Sequence, residues 1–435
     1  MLDIAPKEVR GPLGPLALIL LYLVAFCVSL MLVAQRYAEF HFYFDERLIE
    51  NAVVGLVFVG TVAPLVAFAE FTFGWIAGLY LYVTVAGFIW LSFFSTLHYD
   101  HSAARISAAT SIVAFLLPAL LITKPFKQGL SFSKLWHDRI LLLIFIVATL
   151  TMVACATYGF EIVGIQDIEV KRAGLNYPTS LNYLINISIS ALLPYAFACY
   201  FAQGRYGRAV LAAGILLAFY PVTFTKTALV APFWIIFLAV LTHWFEARIS
   251  ALLSLLLPTL VGLIAFNIDT SNLIFGTINF RMFAVPSSAM DHYNQFFSAQ
   301  PLTYFCQIGL LRDWVSCPYS QQLSGVMADA FHLGNYNASL FATEGIASVG
   351  LNYAPISAFL CGIAIAMGNR CSASLPANFI LLSSSLLALA LLNTPLSTTL
   401  VTHGGLILFF LWYMTPTKAA SMRKKENDST LQAGH

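Results

Sequence analysis

The feature that most limits what this chain can become is the recurrence of uncharged apolar stretches of membrane-crossing length. The first runs from Leu13 to Ala34. A helix rises about 1.5 Å per residue, so roughly 20 apolar residues span a hydrocarbon core of about 30 Å. Inside lipid every backbone amide and carbonyl needs an internal partner, which leaves helices or closed barrels. Runs this long and this uniformly apolar read as helices. Further candidates follow at 51–69, 73–96, 106–123, 140–160, 181–203, 208–223, 228–245, 249–268, 346–367, 377–394 and 400–415. The expectation is an all-α polytopic membrane protein of about 12 transmembrane helices, forming a single integral membrane domain over 1–435. The connection from Pro221 to Lys226 is short, so it reads as a tight hairpin or a broken helix. The first stretch has no small-residue cleavage site and reads as a retained span.

Composition agrees. Only 10% of residues are charged and 59% are hydrophobic, against about 25% charged in an average soluble domain. A net charge of +2 leaves no electrostatic footprint for nucleic acid. The natural partner of such a surface is the lipid bilayer.

Basic loop residues set orientation. With the N-terminus inside, fourteen of the 22 Lys and Arg fall on the inside: Lys7, Arg10, Lys124, Lys127, Lys134, Arg139, Arg205, Arg208, Arg248, Arg370, Lys418, Arg423, Lys424 and Lys425. Both termini are then cytoplasmic, with 416–435 as a cytoplasmic tail. Segments 161–180 and 269–345 become external loops, periplasmic in a bacterial inner membrane. The second, from Asp269 to Gly345, gathers Arg281, Asp291, His292, Tyr293, Arg312, Asp313, Asp329, His332 and Glu344, and the chemistry is expected there.

Eight cations remain on the disfavoured side. Of these, Arg172, Lys226, Arg281 and Arg312 lie near apolar or aromatic neighbours and suggest an anionic ligand, phosphate first, because guanidinium forks match its oxygens. Arg172 precedes Gly174 in a loop of mixed charge, which also reads as a self-neutralising solvated turn. Lys226 either serves function or snorkels to headgroups. After Arg281, Pro286 is expected to break the chain and Ser287 or Ser288 to cap a short helix. Asp291, His292 and Tyr293 then point about 100° apart and cannot share one substrate. His292 titrates near neutrality and suits general-base work, although a lone histidine is commonly structural. Asn337, Phe341, Glu344 and Ser348 share one helical face that enters the membrane, where an acidic residue is functional by default or else pairs with an arginine. Cys306 and Cys317 form a disulfide if their loop is oxidised, or remain two buried thiols. No Cys/His metal spacing occurs, so neither a metal nor a cofactor is expected.

Three stretches carry a resemblance: the Thr225-Lys226 step, Arg281-Met282-Phe283 with Pro286 and Tyr293, and Glu344-Gly345 with Gly350-Leu351. Together they resemble the bacterial oligosaccharide repeat-unit polymerases, the Wzy-type O-antigen and capsule polymerases, over roughly residues 160–360. One described family pattern, an arginine followed by ten residues and a glycine, is absent after Arg172, Arg281 and Arg312. The resemblance implies a GT-C-like, metal-independent membrane glycosyltransferase. Its substrate would be an undecaprenyl-pyrophosphate-linked oligosaccharide, and a chain-length regulator and a flippase would be its partners. It further implies His292, Glu344 and Arg281 as catalytic, and Arg172, Lys226, Arg312, Tyr293 and Asn337 as contacts to pyrophosphate or glycan. O-antigen ligases share the architecture, and a lipid-linked sugar flippase or transporter is the non-enzymatic alternative. The absence of visible internal repeats and of mid-depth charge in the spans weighs against the last.

Overall fold

The computed structural model describes residues 13–164, 168–268, 273–309, 311 and 314–416. The expected N-terminal segment before Leu13, the tail beyond 416 and Arg312 lie outside the described residues. The protein is helical, with no β-strand among those residues beyond one isolated bridge between Phe42 and Ser95. Ten helices are long and apolar enough to cross a membrane: Leu13–Arg36, Glu46–Phe68, Phe73–Leu91, His101–Leu121, Lys134–Ala156, Thr179–Ala202, Tyr206–Thr223, Lys226–Trp244, Ala247–Ile268 and Phe341–Ser372. The last two expected spans are shorter helices, Ala377–Ala390 and Gly405–Met414, joined through Leu396–Val401. They are shorter than the other spans, so ten helices among the described residues, not twelve, have crossing length.

Phe73–Leu91 is buried along its whole length, as expected of a helix apolar on every side at the centre of a bundle. Glu46–Phe68 and Lys134–Ala156 leave most of their apolar surface outward, the arrangement that lipid rewards. At one end of the bundle, Asn369 ties three elements together. Its Oδ1 accepts from the Gly74 amide (2.6 Å) and its Nδ2 donates to the Ala119 carbonyl (2.7 Å). The same end holds Arg248, which donates to the Ala67 and Ala69 carbonyls, and Arg370 over the Phe126 ring. At the other end, loops 37–48 and 92–100 are laced together by Tyr43 N–H to Phe94 O and Thr96 N–H to His41 O, both 2.8 Å.

Within the segment expected as an external loop over 269–345, residues 273–297 are helical. Leu273–Phe275, Gly276–Ala284 and Val285–Phe297 run on as a single crossing helix. It passes over Leu13–Arg36, where Phe283 meets Phe26 edge-on, then over Phe73–Leu91 at Gly87, then reaches Ser95 and Tyr99. Pro286 does not break it. Gly276–Ala284 is wound as a π-helix, and the wider turn absorbs the carbonyl that proline leaves unpaired. Ser287 and Ser288 therefore do not cap a helix; both are buried within it.

The crossing helix is pinned by Asn279, whose Nδ2 donates to Ser29 Oγ (2.8 Å) and to the Thr259 carbonyl (3.1 Å). A Cβ at Gly262 would lie 1.6 Å from Asn279 Oδ1. The variant Gly262→Ala is expected to displace that amide and lower stability by about 1–3 kcal/mol, read as the unfolding midpoint in detergent. A wild-type midpoint would show that the lock carries no weight.

The expected span 346–367 is also different. Gly350 has φ 73 and ψ 174 inside the helix, a conformation open essentially to glycine. Ser357 Oγ donates to the Glu344 carbonyl at 2.7 Å. In a straight helix those residues would stand about 20 Å apart. The chain therefore enters as a π-helical half-helix, Phe341–Ala347, reverses at Gly350, and returns as 351–372. Asn337 precedes the half-helix in an exposed loop, so it does not share a face with Phe341, Glu344 and Ser348, which are buried. Gly350→Ala is expected to cost about 1–3 kcal/mol through backbone strain alone.

Candidate functional site

Two polar groups flank the crossing helix. The first surrounds Asp291 and His292, both fully buried. Asp291 accepts from Ser95 Oγ (2.6 Å) and from the Tyr99 hydroxyl. Burial pushes the Asp291 carboxyl above the ordinary carboxylate range, while the bonds from Ser95 and Tyr99 pull it down. Burial and the adjoining carboxylate push the Tyr99 phenol well up, so Tyr99 remains a donor. Arg105 stands close by, its guanidinium 4.1 Å from the centre of the Phe93 ring and in contact with Ser92 Oγ at 3.3 Å.

His292 Nδ1 lies 2.8 Å from the Ser288 carbonyl and its Nε2 lies 3.2 Å from His41 Nδ1. A carbonyl only accepts, so Nδ1 carries the hydrogen. Burial lowers the His292 pKa to about 4, so the ring is neutral and Nε2 accepts. His41 Nδ1–H is then the donor, which turns His41 Nε2 away from His292 on a half-buried ring. Phe331 and Tyr336 stand edge-on to His292, with centroids 4.8 and 4.9 Å away, and Tyr336 is hydrogen-bonded to Ser288. His41 itself has φ 62, held by the two bonds from Thr96 to its carbonyl, at 2.8 Å from the amide and 3.1 Å from Oγ1.

His292 is thus an internal residue that orients His41, and the reading of His292 as the group that meets substrate is corrected. A histidine whose folded pKa is depressed binds its proton more readily unfolded. Its neutral burial stabilises the fold above pH 6.5, and that contribution is lost as pH falls from about 6.5 toward about 4. The unfolding midpoint is expected to drop over this window, and His292→Gln to flatten the slope.

The second group lies on the opposite side of the crossing helix. Glu344 Oε2 accepts from Thr343 Oγ1 (2.6 Å), and Oε1 accepts from the Ser397 amide (3.1 Å) and Ser397 Oγ (3.3 Å). No arginine pairs with it among the described residues. Tyr293 is buried and turned to this side, within electrostatic reach of Glu344. The structure therefore separates His292 from Glu344 and Tyr293 by the body of one helix, as their spacing along it requires.

The expected cation contacts are dispersed. Arg281 is exposed on the crossing helix, within electrostatic reach of Tyr336 at the rim of the first group. Arg172 and Lys226 are exposed in another region. There residues 157–164 pack on the end of Tyr206–Thr223 through Tyr220 Oη to Val163 O (2.5 Å) and Glu161 N–H to Pro221 O (3.0 Å). The contacts of Asp291 and His292 include neither of these cations. Cys306 and Cys317 are disulfide-bonded with Cα atoms 5.2 Å apart, closing the loop beyond the crossing helix. No group of three or more His, Cys, Asp or Glu suited to a metal occurs among the described residues. His41, Ser95, Tyr99 and Tyr336 escaped the sequence reading. The signal that could have found them is that His41, His98, His101, His292 and His332 fall in segments of one predicted side.

No protein-family model matches the chain, and no curated protein and no solved structure shows significant similarity to it.

Proposed function

We propose that the chain is a metal-independent glycosyltransferase of the bacterial inner membrane that polymerises lipid-linked oligosaccharide repeat units. It would transfer a growing glycan from undecaprenyl pyrophosphate to the sugar end of another unit. The observation that carries this reading is the His41–His292 pair with Asp291 and Tyr99, a polar group built into one end of an otherwise apolar bundle. Arg248 and Arg370, two of the basic residues counted as inside, lie at the opposite end, which supports cytoplasmic termini and an outward-facing site. Ten long helices and the hairpin of two shorter ones approximate the twelve-crossing, GT-C-like layout.

In this reading His41 Nε2 takes the proton of the acceptor hydroxyl, oriented by the neutral His292 behind it. The hydroxyl oxygen forms the new bond to the anomeric carbon as the bond to pyrophosphate breaks, and the leaving electrons rest on the diphosphate. Arg281, at the rim, and Arg105, beside Asp291, are the cations available to meet that charge. Arg172 and Lys226 would meet the lipid-linked donor only if it extends to their separate region. A chain-length regulator and a flippase remain the expected partners. The test is incubation of the purified protein with a lipid-linked repeat unit together with lipid A core. A ladder of polymer without added metal is expected; a product joined only to lipid A core would point to ligase chemistry instead.

One observation favours a second reading. Broken helices that meet a buried carboxylate, as the half-helix and Leu396–Val401 do at Glu344, suit a transporter of lipid-linked sugar. Substrate movement across proteoliposomes without polymer product would select it.

A further inference from the structure

We propose that Glu344 is a proton-binding site that fastens and releases the joint between the half-helix Phe341–Ala347 and the C-terminal hairpin. The inference does not rest on the polymerase reading. Glu344 is 6% exposed. Among the described residues no lysine, arginine or histidine lies within ion-pair distance of it. The titratable groups that face it are Tyr293 from the crossing helix and Cys361 from the returning stretch 351–372. Neither can supply a positive charge. Its own element offers the Thr343 hydroxyl, and the hairpin offers the Ser397 amide and hydroxyl. A carboxylate buried without a counter-charge is held only by such donors, and a proton is the smallest ligand that neutralises it.

The geometry makes the two protonation states mechanically different. These donors, joined by the backbone amides of Leu396 and Glu344, point at the carboxylate oxygens, so the anion draws the Leu396–Ser397 end of the hairpin against the half-helix. Adding a proton turns one oxygen into a donor. A hydroxyl of Thr343 or Ser397 must then rotate to accept it, and the charge-assisted pull on the Ser397 amide is lost. Both sides of the joint end in backbone bends that can absorb movement. The half-helix ends at Gly350 with φ 73, and Leu396–Val401 is followed by Gly404 with φ 79. Proton release closes the joint, and proton uptake loosens it.

Dicyclohexylcarbodiimide, which modifies protonated carboxyls in apolar surroundings, reads the site without any assay of activity. The full chain in lipid nanodiscs is treated across a pH series, and adducts are mapped by mass spectrometry. The expected result is an adduct on Glu344 that falls about tenfold per pH unit above its midpoint, is unchanged by sodium chloride at constant pH, and is missing from Glu344→Gln. In parallel, Thr398→Cys is expected to react faster with a maleimide at acidic than at alkaline pH. No adduct at Glu344, an adduct independent of pH, or protection by sodium but not choline would overturn proton binding. A pH-independent rate at Thr398→Cys, in protein whose Glu344 adduct titrates, would overturn the movement of the joint. If Glu344→Gln fails to fold, the wild-type pH series decides alone.

Discussion

His41→Ala is expected to abolish polymer while leaving the protein folded in the membrane. The His41 ring is half-exposed and rests on a loop, so its removal creates no closed cavity. What it removes is Nε2, the ring nitrogen that the His292 contact turns away from the interior and that the proposed reading uses as the base. Loss of a general base costs about 10²–10⁴ in rate, which on a gel reads as loss of every band above the single repeat. The His292→Gln variant is the informative comparison. Glutamine can still take the Nδ1–H of His41 through its side-chain oxygen, so activity is expected to fall far less, with the pH profile shifted. Full-length ladders from His41→Ala would remove the His41–His292 pair from the chemistry and with it the main support for the polymerase reading.

Asp291→Ala is expected to show the largest stability loss in the protein. The substitution strands two half-buried hydroxyls, on Ser95 and Tyr99, that now share one fully buried carboxylate. An orphaned buried donor costs about 1–3 kcal/mol, and there are two. The asymmetry of that penalty supplies the control. Combining Asp291→Leu with Tyr99→Phe and Ser95→Ala removes the stranded groups along with their acceptor, so it should recover most of the loss. The coupling would appear as strong non-additivity of the unfolding midpoints. Additive effects, or an Asp291→Ala midpoint within surface-mutation noise, would mean that the carboxylate is not held as described.

The long helices were legible because lipid imposes one rule on every backbone group, and 73–96 or 249–268 satisfies it with uncharged side chains alone. The crossing helix was not, because hydropathy registers what faces lipid. Ser287, Ser288, Asp291 and His292 are polar, so their segment reads as loop, yet each is buried by protein. Asn279 meets Ser29 through tertiary contact across 250 residues, which no local period announces. The reversal at Gly350 was likewise hidden, since a glycine in an apolar run reads as a close-packing residue before it reads as a bend. Asp291, His292 and Tyr293 do diverge around their helix as the spacing required. Their partners in loops 37–48 and 92–100 belong to stretches in which only the sparse histidines carried a signal.

The crossing helix also dictates an order of biogenesis. Its polar content, from Asn279 to His292, makes it a poor substrate for insertion into lipid on its own. The surfaces that receive it include Leu13–Arg36, Phe73–Leu91 and the 92–100 loop, synthesised long before it, while Phe331 and Tyr336, which cover it, are synthesised after it. Translation must therefore deliver an N-terminal scaffold with an open cleft, and the later segment docks into it after exiting the ribosome. Until then the waiting cleft exposes Ser29, Gly87 and Ser95, a face that quality-control proteases could recognise in any chain truncated before residue 273.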